Sequence, residues 1–186
     1  MNKFYKHPSS IIEKNVIIGI NSKIWHFSHI MNDVSIGNNC IIGQNVFIGE
    51  NVKIGDNCKI QNNVSIFNGV ILKNNIFCGP SCVFTNIRNP RAFIDQKQSF
   101  LNTIVESGAT IGANSTIICG NKIEEYAFIG AGSVVTKNIP RFALVYGNPA
   151  KKIGWVSKSG FKLGKSLVCP NDKSEYIIKN NRLEIK

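Results

Sequence analysis

From Ile12 onward every sixth residue is apolar: Ile12, Ile18, Ile24, Ile30, Ile36, Ile42, Ile48, Ile54, Ile60, Ile66 and Leu72, then Cys78 and Phe84. No polar residue interrupts the series. A second run, in a shifted phase, reads Val105, Ile111, Ile117, Ile123, Ile129, Val135. Small or β-branched residues recur two places earlier, as at Ser22, Ser28, Cys40, Cys58 and Val64, and Gly follows the aliphatic residue at Gly19, Gly37, Gly43, Gly49, Gly55, Gly112 and Gly130. Neither a helical period nor simple strand alternation makes a six-residue rule, whereas a triangular coil of three short parallel strands with eighteen residues per turn does. Each inward aliphatic then stacks on the one a full turn away, in coils about 4.8 Å apart, and the stack forms a continuous ladder. Asn crowds the turns at Asn38, Asn39, Asn45, Asn51 and Asn57, where backbone angles rare for other residues are needed. The phase break expels residues 85–104 as a loop. The pattern therefore predicts an all-β parallel β-helix over residues 1–156 with one protruding loop. The hexads stop beyond Trp155, which leaves an extension over 157–186.

Composition narrows the class. At 186 residues and 43% hydrophobic the chain has one soluble domain's worth of core. No basic N-terminal segment leads into an apolar stretch and no apolar run nears the eighteen or so residues of a membrane span, so no membrane partner and a cytoplasmic location are expected. The six cysteines are scattered and read as small buried apolar residues; Cys40 and Cys58, eighteen apart, fall on neighbouring turns, where a pairing stays open. The net charge of +11 is uneven, because residues 137–186 hold eleven Lys/Arg against three Asp/Glu. That end favours an anionic partner. Nucleic acid is not expected, since no aromatics interleave with the charge and no recognition motif is present.

Several strings carry a narrower signal: Ile24-Trp25-His26-Phe27-Ser28-His29, Lys59-Ile60-Gln61-Asn62-Asn63, Cys78-Gly79-Pro80-Ser81, Phe84-Thr85-Asn86 with Asn89-Pro90-Arg91, Gly108-Ala109-Thr110-Ile111-Gly112-Ala113-Asn114, and Gly147-Asn148-Pro149-Ala150. Together they resemble the hexapeptide-repeat acyltransferases, and among these the N-acetyltransferases of 3-amino nucleotide sugars, most closely those that act on a UDP-linked 2-acetamido-3-amino uronic acid. The resemblance covers roughly residues 7–156. It implies a left-handed coil, a homotrimer with sites in clefts between neighbours, and transfer of acetyl from acetyl-CoA to a sugar amine in surface-polysaccharide assembly.

Residue roles follow from the same resemblance. Asn86, which opens the expelled loop, is expected to hold the attacking amine. A carboxamide orients an amine but is a poor base, which leaves the proton to the departing thiolate or to water. His26 and His29 are the competing bases by their ordinary pKa, but His29 lies three coils, about 14 Å, below the Asn86 level. That distance suits Trp25, His26 and His29 to the nucleotide end, and Asn62 is a further substrate-binding candidate. Arg91 suits a carboxylate or diphosphate. Ala113 and Ala131 leave a groove open for pantetheine, with Lys137, Arg141, Lys151 and Lys152 where the coenzyme's phosphates emerge.

Other readings compete. A β-helical carbonic anhydrase holds zinc with three histidines, but His7, His26 and His29 lack that spacing. The tail around Ser157-Lys158-Ser159-Gly160 and Cys169-Pro170-Asn171-Asp172 resembles a cysteine-rich extension with only Cys169 left of four ligand positions, so no metal is expected. Phe161, Leu163, Tyr176, Ile177 and Ile178 are expected to cover the coil end. A non-enzymatic scaffold would need neither the loop nor the basic exit. Within the enzyme class, the runner-up substrate is a dTDP-3-amino-3,6-dideoxyhexose, which lacks a carboxylate.

Overall fold

Each hexad folds as a two-residue strand and a four-residue turn, because one inward aliphatic every six residues permits a strand only long enough to present it. In the computed structural model, which describes residues 4–186, these strands stack in register into three sheets of nine, seven and six strands, the faces of a triangular prism. Face A runs from Tyr5–Lys6 through Lys23–Ile24, Ile41–Ile42, Lys59–Ile60, Phe77–Cys78, Thr110–Ile111 and Phe128–Ile129 to Ala143–Tyr146. Lys151–Trp155 closes it antiparallel. Face B holds Ile11–Ile12, His29–Ile30, Phe47–Ile48, Ser65–Ile66, Val83–Phe84, Thr116–Ile117 and Val134–Val135; face C holds Ile17–Ile18, Ser35–Ile36, Lys53–Ile54, Val70–Leu72, Thr103–Val105 and Lys122–Ile123. Ile24, Ile42, Ile60, Cys78, Ile111 and Ile129 are fully buried in one inward column.

The turns explain the small residues. Ser22 and Ser28 donate their hydroxyls to the carbonyls of Gly37 and Gly43 in the next coil, at 2.8 and 2.7 Å. The buried thiols of Cys40 and Cys58 do the same toward Gly55 and Lys73, both at 3.1 Å. All six cysteines are free and buried, and Cys40 and Cys58 serve as hydrogen-bond donors at the corner, not as a disulfide. The Cys40 sulfur and burial together raise the Cys58 thiol above its ordinary pKa. Asn at the turns does more than tolerate positive φ. Asn39, Asn45 and Asn63 hold φ of 54–61°, and Asn45 Nδ2 donates to Asn63 Oδ1 at 3.0 Å, so the amides also link coil to coil.

The loop is shorter than the hexads suggest. Thr103 and Ile104 already belong to a face C strand paired with Val70–Leu72, because the phase break marks the next inward residue, Val105, and not the start of its strand. The backbone N–H of Leu101 donates to the Asn86 carbonyl at 2.9 Å and closes the loop at its base. Beyond the coil, Tyr176–Lys179 and Arg182–Ile185 pair as a hairpin. Tyr176 is buried edge-on to Phe142, 5.6 Å away, and Phe142 stacks on Tyr126. Leu163 and Leu183 are buried with it, whereas Phe161 and Ile178 stay exposed. Among the described residues no helix is long and apolar enough to cross a membrane, and no group of three His, Cys, Asp or Glu is placed to hold a metal ion.

Candidate functional site

The three faces differ in charge. At the outward strand position face A carries Lys23 and Lys59, and face C carries Lys53 and Lys122, whereas face B presents Ile11, His29, Phe47, Ser65, Val83, Thr116 and Val134. Face B is thus the one without a lysine, arginine or carboxylate on its strands. The edges that border it, AB and BC, hold most of the candidate residues.

On edge AB, Trp25 and His26 line a groove with Gln44 and Asn62, about 320 Å³ in volume. Positions 26, 44 and 62 are one coil apart, so the fold stacks them without any further contact. Asn62 Oδ1 accepts the backbone N–H of Gln44 at 2.9 Å, which leaves its amide N–H groups to point elsewhere. His26 stacks on His7 with ring centroids 3.5 Å apart, and desolvation, with the neighbouring His26, lowers the His7 pKa. Phe27 beside them is 63% exposed and holds φ of 57°, a conformation that the same turn gives to Asn45, Asn63, Ser81, Asn114 and Gly132 in other coils. A bulky residue there is strained, and the exposed ring is what the strain presents. Sequence reasoning misses Gln44, although the eighteen-residue spacing from His26 and Asn62 marks it, and weighs His7 only as a zinc ligand.

Higher on the same edge Ala113 and Ala131 lie in consecutive coils. A Cβ on Gly112 would come within 2.4 Å of the Ala131 nitrogen, and one on Gly79 within 2.5 Å of the Ala113 nitrogen, so glycine is required by the close approach of successive coils. Side chains on this edge are consequently small, and the edge is an open trough.

On face B, His29 Nε2 lies 2.7 Å from Glu13 Oε1 and its ring meets the edge of Phe47. In register, His29 is followed by Phe47, Ser65 and Val83, which puts it three coils below the strand that leads to Asn86. On edge BC, Asn86 is half-buried at the mouth of the loop, above a hollow of about 280 Å³ lined by Asn68, Gly69, Phe100 and Asn102. Lys137 lies on the same edge two coils higher. Arg91 is exposed in the loop, and its guanidinium donates to its neighbour's carbonyl, Pro90 O, at 3.3 Å.

The remaining basic residues separate. Arg141 sits on the third edge, CA, 3.5 Å from Glu125, with its backbone N–H donated to Glu124. Lys152 Nζ lies 3.1 Å from the centroid of Trp155, and burial lowers its pKa. Lys151 is exposed. The structure therefore brings Trp25, His26 and Asn62 together, aligns Ala113 and Ala131 above them, and keeps Asn86 and Lys137 on the opposite border of face B. Charge alone gives no sign that Arg141 has carboxylate partners, because Glu124 and Glu125 come from the preceding coil.

Bacterial transferase hexapeptide repeats match residues 15–50 and 35–68, and the hexapeptide repeat of succinyl-transferase matches 102–137. The dTDP-3-amino-3,6-dideoxy-alpha-D-galactopyranose 3-N-acetyltransferase of Aneurinibacillus thermoaerophilus is 59% identical over 66 residues, 36% of this chain and 34% of that protein. The 2,3,4,5-tetrahydropyridine-2,6-dicarboxylate N-acetyltransferase of Staphylococcus aureus (strain JH9) is 32% identical over 84 residues, 45% of this chain and 32% of that one. The chain thus matches about a third of the length of these relatives. A hexapeptide transferase family protein from Anaplasma phagocytophilum shares the fold, with a TM-score of 0.56 at 18% identity over 84% of this chain and 81% of that one.

Proposed function

Because this chain belongs to the hexapeptide-repeat transferase family, we propose that it moves acetyl from acetyl-CoA to the 3-amine of a nucleotide-linked amino sugar, in the manner of that family's left-handed β-helix acetyltransferases. The observation that carries the reading is the placement of Asn86. The expelled loop begins there, at the border of the uncharged face, and is pinned at its base by the Leu101 N–H. The 59% identical stretch of a 3-N-acetyltransferase supports the amine as acceptor.

Two candidate edges flank face B, and no single chain brings them together. Three chains packed about a threefold axis on their uncharged faces would set edge AB of one chain against edge BC of the next. The cleft so formed would hold the sugar nucleotide at Trp25, His26, His29 and Asn62, and the coenzyme along the trough at Ala113 and Ala131. Lys137 and the exposed Lys151 would supply positive charge along the coenzyme's path, with Arg141 and Lys152 already engaged within the chain.

In this reading the Asn86 carboxamide oxygen accepts an N–H of the neutral amine and aims its lone pair at the thioester carbonyl carbon. The N–C bond forms, the C–S bond breaks, and the amine's proton passes to the departing thiolate or through water. Arg91 would meet the carboxylate of a UDP-linked 2-acetamido-3-amino uronic acid, the substrate that the motifs favour. A second reading, a dTDP-linked 3-amino-3,6-dideoxyhexose, draws on the printed activity of the Aneurinibacillus relative and leaves Arg91 without a carboxylate. Thiol release from acetyl-CoA, compared between UDP-2-acetamido-3-amino-2,3-dideoxy-glucuronate and a dTDP-3-amino-3,6-dideoxyhexose, decides between them. Asn86→Ala should cut turnover about a hundredfold while coenzyme binding stays intact; near wild-type turnover would remove Asn86 from the role.

A further inference from the structure

On edge CA the turn residue that holds positive φ is Asn in four coils, at Asn21, Asn39, Asn57 and Asn75, and then becomes Gly108, Tyr126 and Phe142. Side-chain amides thus give way to aromatic rings where the extension meets the coil. Phe142 is covered by Tyr176. Tyr126 stacks on Phe142 at 5.1 Å, and its other side overlies Gly108, where a Cβ would come within 2.4 Å of Cδ1 and Cε1. Its rim borders a cleft of about 360 Å³ between face A and the turn over 157–161, a size within the ~300–1,000 Å³ of small-ligand sites.

The turn is pinned in place. Gly160 N–H donates to Ser157 O at 2.9 Å, Phe161 N–H to Ser157 Oγ at 3.2 Å and Lys158 N–H to the Tyr176 hydroxyl at 2.7 Å. Phe128 on the coil and Phe161 on the turn are the apolar walls of the cleft, and the Thr110 and Tyr126 hydroxyls beside them engage no other described residue. Charge is equally one-sided. Across edge CA, Lys122, Arg141 and Arg182 share a hollow with Glu106, Glu125 and Glu124 and pair with them. Lys158 pairs with no carboxylate among the described residues; its Nζ lies 5.7 Å from the Tyr126 centroid, and no carboxylate lines the cleft. Asp172, beyond Ser159, is taken up by Ser159 and Ser174.

A pyranose has apolar C–H faces and a rim of hydroxyls. It fits between aromatic rings, whose faces are electron-rich, where free hydroxyls meet its rim, and an unpaired ammonium adds a place for one carboxylate. We propose that this cleft is a second carbohydrate site, selective for an acidic pyranose. The sugar ring lies between Phe128 and Phe161, its hydroxyls meet Thr110 and Tyr126, and its carboxylate meets Lys158. Edge CA is opposite face B, apart from Asn86 on edge BC and from the trough on edge AB, so the cleft holds an acidic glycan without taking part in acetyl transfer.

Ligand-observed NMR titration of the full chain with methyl β-D-glucuronide and methyl β-D-glucoside tests this. The wild type should prefer the glucuronide. Lys158→Ala should weaken the glucuronide about tenfold and leave the glucoside unchanged, Lys158→Arg should restore the preference, and Phe161→Ala should weaken both sugars alike. The proposed acetyl acceptor is also an acidic sugar, so Arg91→Ala and Asn86→Ala serve as controls and should change neither affinity. Glucuronide binding that falls in Arg91→Ala and survives in Lys158→Ala would put the probe at the acceptor site and overturn the cleft. Equal loss of both sugars in Lys158→Ala would mean a displaced turn in place of a charge contact, and would also overturn it. A wild type that binds neither sugar ends the proposal and leaves the acetyl-transfer reading to its own assay of thiol release.

Discussion

The coil and the C-terminal extension are both built from short strands, yet they are held together by different means. In the coil one bond is repeated: Ser22, Ser28, Cys40, Cys58 and Ser115 each donate to the carbonyl fifteen residues on. Each coil is the template for the next, and stability accumulates along the stack. The extension uses bonds that occur once. Bridges Val156↔Lys162 and Val168↔Glu175 close two turns. Between them Ser159 reaches Ser157 at 3.0 Å, the Cys169 sulfur at 3.3 Å and Asp172 Oδ2 at 2.9 Å. Where a metal would need several thiolates, hydroxyls and one carboxylate satisfy one another. A repeated bond survives the loss of one copy in a different way from a bond that has no copy.

The largest expected effect comes from the inward ladder. Ile60 is fully buried in the middle of it, and Ile60→Ala should cost about 2–5 kcal/mol by opening a void between two coils. Leu183, also fully buried, lies in the terminal hairpin. Leu183→Ala should release the hairpin first, seen as proteolysis near the C-terminus, while the coil's main thermal transition moves less than in Ile60→Ala. If both variants lower that transition equally, the coil and the extension are one cooperative unit and the contrast between them fails.

A smaller effect separates the two roles of the corner cysteines. Cys40→Ser keeps a donor for the Gly55 carbonyl, as Ser22 does for Gly37, whereas Cys40→Val leaves that carbonyl and a corner methyl in competition for the same space. We expect Cys40→Val to be the less stable of the two by about 1–3 kcal/mol, the cost of an unsatisfied buried acceptor, measured by denaturant unfolding. Equal stability would reduce the thiols to apolar filler.

This contrast also explains what could be read in advance. The hexad rule identifies the inward residue of every coil from Ile18 to Val135, because each of those positions obeys the same local constraint. It also places Gln44 with His26 and Asn62 by arithmetic alone. It fails where a side chain's partner is set by something other than the period. Arg141 looks like a phosphate ligand among other basic residues, but the coil beneath it offers Glu124 and Glu125. Lys151 and Lys152 are indistinguishable as adjacent lysines; the strand's alternation turns one onto Trp155 and the other to solvent. The two borders of face B look like parts of one site only when a second chain is set beside the first, and no periodicity within one chain carries that information.

The smallest expected effect is a dependence on pH that belongs to the extension alone. The Ser174 hydroxyl and backbone N–H, with the Cys169 thiol and Ser159, hold the Asp172 carboxyl below its ordinary pKa. A carboxyl depressed in the folded state adds stability that is present in full above its unfolded pKa, about 4, and is lost as pH falls through the folded value. Asp172→Asn should therefore melt below the wild type at about pH 7, and the gap should narrow as the pH is taken below about 4. The exposed pair Lys186 and Glu175 acts in the same direction, because Lys186 lowers the Glu175 pKa, so the wild type's own acid slope mixes the two. The difference between wild type and Asp172→Asn isolates the Ser159–Asp172–Ser174 cluster. A gap that stays constant down to about pH 2.5 would mean that Asp172 acts through shape and not charge, and that the extension is held by packing of Tyr176 on Phe142 as the coil is held by its own ladder.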